Sequence, residues 1–472
     1  MAPDTQDSSD RIRPYEANPF YWQYKGKPTL LLGGSVEDNL FQIDGLEEHL
    51  DRLAAVGGNF VRCTMSARDP GNVHPFARDP ESGLYDLERW SEDYWGRFAR
   101  FLELTAERGI VPQVEFWATY DLYSRAAGWA VHPFNPANNV NYTAEESGLP
   151  EAIDYRQHRR IQPFFQTVPA LRDLPLVRRY QEAFVRKLLS LSLPHDHVLY
   201  CIDNETNADP EWSRYWAAFV KQAAAREGRS VEVTEMWNMW DPTRGAVRDM
   251  RVQTDRPEFM ERACVQVTLQ NPDLYSFVEI SNTNAQVGPA HYHAVLYVRR
   301  QLEARGTPKP INCDKIYGAD PRAGYAGPPA EGERRFWRCL FAGVSAVRFH
   351  RPPSGLALTE LARTHIRSVR MLTEELDLFR CRPRPDLVRD RMNWGTEAYC
   401  LAEPGRAYAV CFPQGGAVQL NCSPVQGRVR VRWLDVRGGR WADPQHAPAA
   451  NDTWLTAPNG AFWVALVEPA PD

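Results

Sequence analysis

The sequence predicts an α/β fold, a (β/α)8 barrel of the TIM type followed by a smaller C-terminal antiparallel β-sandwich domain. Three observations predict it. Short apolar or β-branched runs at 29–33, 59–63, 110–116, 198–202, 231–234, 276–280, 310–313 and 344–349 alternate with longer amphipathic segments, the pattern of successive βα units around a parallel sheet. Each run empties into polar residues, as a barrel strand does where it opens into the mouth. Beyond residue 376 the period shortens to alternating runs at 397–402, 407–412, 417–421, 429–434 and 461–467, punctuated by Pro404-Gly405, Gly415-Gly416, Gly438-Gly439 and Asn459-Gly460.

The elements follow in chain order. Residues 1–15 read as a polar, disordered arm. In the first barrel helix Leu46, Leu50, Leu53 and Ala54 share a face, and Gly57-Gly58 stops it. Ser91 caps the second, whose Tyr94, Phe98, Phe101 and Leu102 point one way, and a third runs through Val177, Tyr180, Phe184, Leu188 and Leu189. These stripes predict packing on a sheet rather than ligand contact. The connection after the third strand, about 117–175, is long and rich in aromatic, Asn and Pro residues. Leaving a strand tip, it is expected to lie over the mouth, with Trp117, Tyr120, Tyr123, Trp129, His132, Phe134, Asn139, Asn141 and Tyr142 lining a sugar site. The division expected is therefore an arm at 1–15, a barrel at 16–382 and a sandwich at 383–472, with the boundary near Pro383-Arg-Pro385.

Composition bounds the function classes. A chain of 472 residues exceeds the roughly 250–300 that one core usually serves, which fits one large and one small domain. Hydrophobic residues at 43% and charged residues at 24%, with no apolar run long enough to span a bilayer, exclude a disordered or membrane-inserted class. Lys plus Arg number 55 against 60 Asp plus Glu, a net charge of -5, so no basic field draws nucleic acid. Arg299-Arg300 and the arginines at 428–432 read as solvated faces. The 9 cysteines are dispersed without C-x-x-C spacing and read as reduced, buried thiols. The first ten residues carry no secretory pattern, from which a cytoplasmic location is expected. Neither a metal nor a cofactor is expected: His195 and His197, like His291 and His293, lack a third ligand, and Gly33-Gly34 and Gly57-Gly58 lack phosphate-loop spacing. The partner expected is a carbohydrate substrate, and a homo-oligomer stays open.

Chemistry concentrates at the strand ends. The first strand is followed by Glu37, Asp38 and Asn39, the second offers Arg62, the third Glu115 and Trp117, and the fourth Asn204 and Glu205. The fifth gives Glu235, Trp237 and Asn238, the sixth Glu279, Asn282 and Asn284, the seventh Asp314, Lys315 and Tyr317, the eighth His350 and Arg351. Carboxylates, amides and aromatic rings on one face suit a pyranose, whose ring packs on aromatic surfaces while its hydroxyls take hydrogen bonds. Glycosidic cleavage needs one carboxylic acid for the leaving oxygen and a second carboxylate as nucleophile or base. Glu205 is the expected acid, and Asp314, three βα units further on, the expected second group. His350, on a strand tip, would tune the pair.

The Asn204-Glu205 pair, supported by Arg62, resembles clan A glycoside hydrolases over roughly residues 16–380. Within the clan, Asn18-Pro-Phe-Tyr to Leu32-Gly-Gly-Ser35 and the β-rich C-terminal part look like apiosidase-like barrels carrying a collagen-binding-type sandwich. The resemblance implies polysaccharide degradation, with Asn-Glu after strand four as acid/base and a Glu after strand seven as nucleophile. That Glu is absent, and Asn312-Cys-Asp-Lys-Ile-Tyr-Gly318 stands in its place. Two alternatives follow: a carbohydrate-binding barrel without catalysis, or a different sugar enzyme, a lyase or isomerase, with Lys315 as base.

Overall fold

A computed structural model describes residues 10–123, 128–153, 163–206, 208–237, 265–281, 287–319, 326–390 and 395–471. Eight parallel strands, β1 (Leu31–Gly34), β2 (Phe60–Thr64), β3 (Val111–Ala118), β4 (Leu199–Asn204), β5 (Val233–Thr234), β6 (Val278–Glu279), β7 (Ile311–Ile316) and β8 (Ala346–Phe349), lie in the order β5-β4-β3-β2-β1-β8-β7-β6. The ends of this ribbon meet: the Ser276 N–H donates to the Val233 carbonyl at 2.8 Å and Thr234 Oγ1 to the Phe277 carbonyl at 2.6 Å, so the sheet curls into a barrel. Gly33 and Gly34 are demanded by close backbone approaches on either side of β1. A Cβ on Gly33 would sit 1.9 Å from the Phe60 carbonyl oxygen, and one on Gly34 2.1 Å from that of Ala357.

Helices α1 (Leu46–Ala54), α2 (Glu92–Glu107), α3 (Pro175–Ser192), α4 (Pro210–Arg226), α5 (Val265–Gln270), α6 (Pro289–Ala304), α7 (Pro329–Phe341) and α8 (Glu360–Glu375) alternate with the strands. The expected caps are present: the Ser91 side chain accepts from the Tyr94 N–H, and Gly57 takes a positive φ after α1. Along each strand alternate side chains point inward. The lowest inward layer is apolar, with Leu31, Phe60, Val111, Leu199, Phe277 and Ala346 closed from below by Trp22 and Ile12. Residues 10–15 therefore correct the expected disorder of the arm. Ile12 is buried, and Arg13–Pro14 pairs with Trp22–Tyr24 because the barrel floor needs an apolar plug. Residues 1–9 lie outside the described residues.

The described residues of the long connection after β3 fold on one another. Trp129 Nε1 donates to the Pro150 carbonyl at 2.6 Å, Tyr142 Oη to the Phe134 carbonyl at 2.9 Å, and Asn139 Nδ2 to the carbonyls of Pro133 and Asn135. Trp129, Phe134, Asn139 and Tyr142 are buried there, so the expectation that they line the mouth is corrected. Their aromatic surface is spent on the connection's own core, against a hairpin of Phe76–Arg78 and Tyr85–Trp90 that the sequence reading missed.

The C-terminal part is two antiparallel sheets. One orders Tyr399–Glu403, Ala407–Phe412, Trp463–Pro469 and Arg428–Asp435, and the other Val388–Arg389, Ala417–Leu420 and Thr453–Thr456. Cys400, Tyr408, Val410 and Phe412 pack between the sheets, whereas Leu401, Ala409, Cys411, Val464 and Leu466 join the barrel's helical core. The larger sheet is thus covered on both faces.

Candidate active site

Above the apolar floor the inward side chains become charged. Arg62 on β2 is fully buried, its Nε and Nη2 donating to Glu115 Oε1 and Oε2 at 2.6 and 2.7 Å. Its Nη1 lies 2.5 Å from Asp38 Oδ1 and its Nε 3.3 Å from Asp314 Oδ2. Asp314 also accepts from Gln113 Nε2 at 3.0 Å and Ser281 Oγ at 2.7 Å, and that same Ser281 Oγ is 2.6 Å from Glu279 Oε1. A hydroxyl has one hydrogen, so both short contacts are hydrogen bonds only if one of the two carboxyls is protonated and donates to the Ser281 oxygen. Burial is the main reason that Glu115 is pushed up to about 8, with the nearby Asp314 charge adding to it against Arg62. Burial and the Asp314 charge likewise raise Glu279 well above the usual carboxylate range. Burial alone would raise Asp314 too, but Arg62, the hydrogen bond from Glu115 and the cations Lys315 and Arg348 hold it low.

The mouth opens above this layer. β4 ends in Asn204, and Glu205 follows with φ 52°, a left-handed backbone that costs a residue with a side chain roughly 1–2 kcal/mol. Its side chain is 38% exposed, with Oε1 2.8 Å from Lys315 Nζ. Lys315 Nζ also donates to Asn204 Oδ1 at 2.7 Å. Lys315 reaches them because the β7–β8 register shifts between Cys313 and Ile316, a bulge that turns both Asp314 and Lys315 inward. Burial would raise the Glu205 pKa, but the Lys315 ammonium and its hydrogen bond outweigh it and hold the carboxyl below its ordinary value.

On another wall Asp38 sits among arginines, with Arg68 Nη2 at 2.5 Å, Arg351 Nε at 3.3 Å and Arg348 Nη2 at 3.5 Å besides Arg62, and the His350 ring lies beside them with Nδ1 at 3.5 Å. They hold its carboxyl well below the usual range in spite of burial. Burial pushes His350 well below its usual pKa, so its ring is neutral at pH 7, with the Tyr317 ring 4.9 Å away. Glu37, beside Asp38, bonds Arg351 with a side chain 31% exposed. Burial raises its pKa, and the Asp69 and Asp38 charges add to that against Arg351.

The structure therefore gathers Asp38, Asn204, Glu205, Lys315, Tyr317, His350 and Arg351 at one mouth, with Arg62 fully buried in the layer beneath it. Five expectations are corrected by position. Asp314 and Glu279 are enclosed in the layer below, at 0% and 3% exposure, so neither reaches a substrate in the mouth. Glu235 points outward to the helices, bonding Ser213 on α4 and Thr268 Oγ1 on α5 at 2.9 Å, and burial pushes it up to about 7. Trp117 is packed among Phe164, Phe184, Trp212 and Trp216, and Trp237 against Val267. Asn238, Asn282 and Asn284 lie outside the described residues. The sequence reading missed Gln113, Arg348 and Arg68. The first two stand two residues from Glu115 and His350, and the strand period marks such positions as inward. Among the described residues no group of His, Cys, Asp and Glu is placed to hold a metal ion.

Residues 74–236 match the family described as "Domain of unknown function (DUF6298)". No curated protein matches the chain in sequence. Among solved structures the chain is similar to a glycoside hydrolase family 5 protein from Bacteroides vulgatus, 12% identical with a TM-score of 0.61 over 97% of this chain and 94% of that one. It is similar to another described as a glycoside hydrolase, 11% identical with a TM-score of 0.63 over 98% of both chains. At such identity the likeness shows the fold alone, a TIM barrel with an appended β domain.

Proposed function

We propose that this protein hydrolyses a glycosidic bond in the barrel mouth, with Glu205 as the general acid/base carboxyl. Glu205 itself carries the reading. It is an accessible carboxylate at the C-terminal tip of a barrel strand, in a backbone conformation that costs energy, gripped by a buried lysine. The mouth around it supplies the donors that a sugar ring's hydroxyls need, from Arg68, Arg351, His350 and Tyr317. Asp314 serves this reading from below, as the anion that holds Arg62 and Gln113. The resemblance of segment 18–35 supports a substrate related to that of apiosidase-like barrels, and the two-faced burial of the C-terminal sheet supports a brace of the barrel. Replacing Glu205 with Gln is expected to lower turnover of aryl glycosides by about 10²-fold or more with an unchanged circular dichroism spectrum. Wild-type turnover by E205Q would overturn the assignment.

One observation favours a second reading: Lys315, and not a carboxylate, faces Glu205 at 2.8 Å. A lyase or isomerase with Lys315 as base would form product without solvent oxygen. Mass spectrometry in H2¹⁸O separates the two, since hydrolysis places one ¹⁸O in the product.

A further inference from the structure

We propose that Glu37 is the second catalytic carboxyl of this mouth, acting as general acid opposite Glu205 as general base. The inference rests on the hydrolytic reading above, narrows the part of Glu205 to the base, and divides the two proton transfers between named groups. A carboxyl that exchanges protons with a substrate must be reachable, and accessibility sorts the strand-end carboxylates sharply. Asp38, Glu115, Asp203, Glu235, Glu279 and Asp314 are all buried, whereas Glu37 and Glu205 keep 31% and 38% of their side chains exposed.

The two are built alike. Glu205 follows β4 and is anchored by Lys315 from β7. Glu37 follows β1 and is anchored by Arg351 just after β8. β2 and β3 stand between them, so the carboxyls occupy different walls of the mouth; taken as an inverting pair, they require room for a water between them. Their surroundings differ in sign. Glu205 has an ammonium at 2.8 Å, while Glu37 shares its arginine with two more anions: Arg351 lies 3.3 Å from both Asp38 Oδ2 and Asp69 Oδ1. The pKa directions agree, with Glu37 raised and Glu205 lowered, and two carboxyls pushed apart in this way take the acid and base roles.

The step balances. The bond from the anomeric carbon to the leaving oxygen breaks as that oxygen takes the Glu37 proton. The incoming water bonds to the anomeric carbon and gives a proton to Glu205. The carboxyls then exchange protons with solvent.

The test is a comparison of Glu37→Gln, Glu205→Gln and Asp314→Asn on 4-nitrophenyl and 2,4-dinitrophenyl glycosides. Loss of the acid hurts a poor leaving group most. E37Q is expected to lose about 10²-fold or more in kcat/KM on the nitrophenyl substrates and far less on the dinitrophenyl ones, with the alkaline limb of its pH profile gone. E205Q should lose turnover on both. D314N should lower the melting temperature while keeping the leaving-group pattern of the wild type. NMR of ¹³C-labelled Glu should show that E37Q removes a carboxyl titrating above the ordinary range. Equal losses on the two substrate sets, or an E37Q variant with wild-type activity, overturn the assignment to Glu37 and leave the hydrolase standing. Absence of turnover of every glycoside by the wild type overturns the hydrolytic reading, and the assignment to Glu37 falls with it.

Discussion

At the residue scale, the informative unit is Glu205 with Lys315. An acid/base residue alone would call for a raised pKa, but a buried ammonium at 2.8 Å fixes the resting carboxyl as an anion. The ion pair also explains how a left-handed Glu is tolerated, because the bond to Lys315 orients the side chain that the backbone strains to present. Lys315→Met removes the cation that holds Glu205 low. The expected result is an acid limb of the pH–rate profile displaced to higher pH, and an unmoved limb would show that Glu205 does not set it. The Asn204-Glu205 dipeptide was legible in the sequence because an apolar run ends in it. The pairing of Glu205 with Lys315 was not, since it joins residues more than a hundred positions apart through a bulge that no local pattern announces.

At the element scale, β2, β3, β6 and β7 carry between them a layer of buried carboxyls and their donors, namely Arg62, Gln113, Glu115, Glu279 and Asp314. This layer ties stability to pH. Burial raises both Glu115, to about 8, and Glu279, so each ionises at higher pH in the folded barrel than in the unfolded chain, where the ordinary value is 4.5. Their contribution is thus fully present below about 4.5 and is lost as pH rises to the Glu115 value of about 8, at up to about 1.4 kcal/mol per pH unit for each proton. The lowered carboxyls Asp38, Glu205 and Asp314 act oppositely, stabilising above the usual carboxylate range and losing that as pH falls. Glu279→Gln keeps the hydrogen-bonding shape and removes one titration. Its melting temperature should fall less steeply than that of the wild type as pH rises above about 4.5. Parallel curves would mean that Glu279 is ionised in the folded state. Strand periodicity located most of these positions in the sequence but not their depth, which is why Asp314 and Glu279 read as mouth residues and are enclosed.

At the scale of the whole molecule, the C-terminal domain is locked to the barrel. Arg437 forms two bonds to the buried Glu333 of α7, at 2.8 and 2.7 Å, and His365 Nε2 of α8 lies 2.7 Å from the same carboxylate. Trp337 Nε1 donates to His365 Nδ1 at 2.8 Å, which leaves the proton of a neutral His365 on Nε2, pointing at Glu333. Glu333→Gln weakens this junction, and denaturant unfolding is expected to show a loss on the order of 1–3 kcal/mol. Deleting 385–472 would uncover the helical face against which Leu401, Cys411 and Leu466 pack, and the barrel should then aggregate or melt early rather than lose only affinity for a polysaccharide. Among the described residues no helix is long and apolar enough to cross a membrane.

The sequence by itself determined the repeating βα pattern, the places where strands empty into polar residues, and Glu205 at one of them. Those are local properties, written in hydrophobic period and turn residues. The tertiary structure decided which carboxyls are reachable, because depth in a barrel depends on strand stagger and on what closes the floor. It folded the aromatic connection onto itself, turned Glu235 toward the helices, lowered Asp314 beneath the mouth and set Lys315 against Glu205. It also left Glu37 exposed beside Arg351. Each of these outcomes depends on long-range register and burial, the quantities that a one-dimensional pattern does not carry.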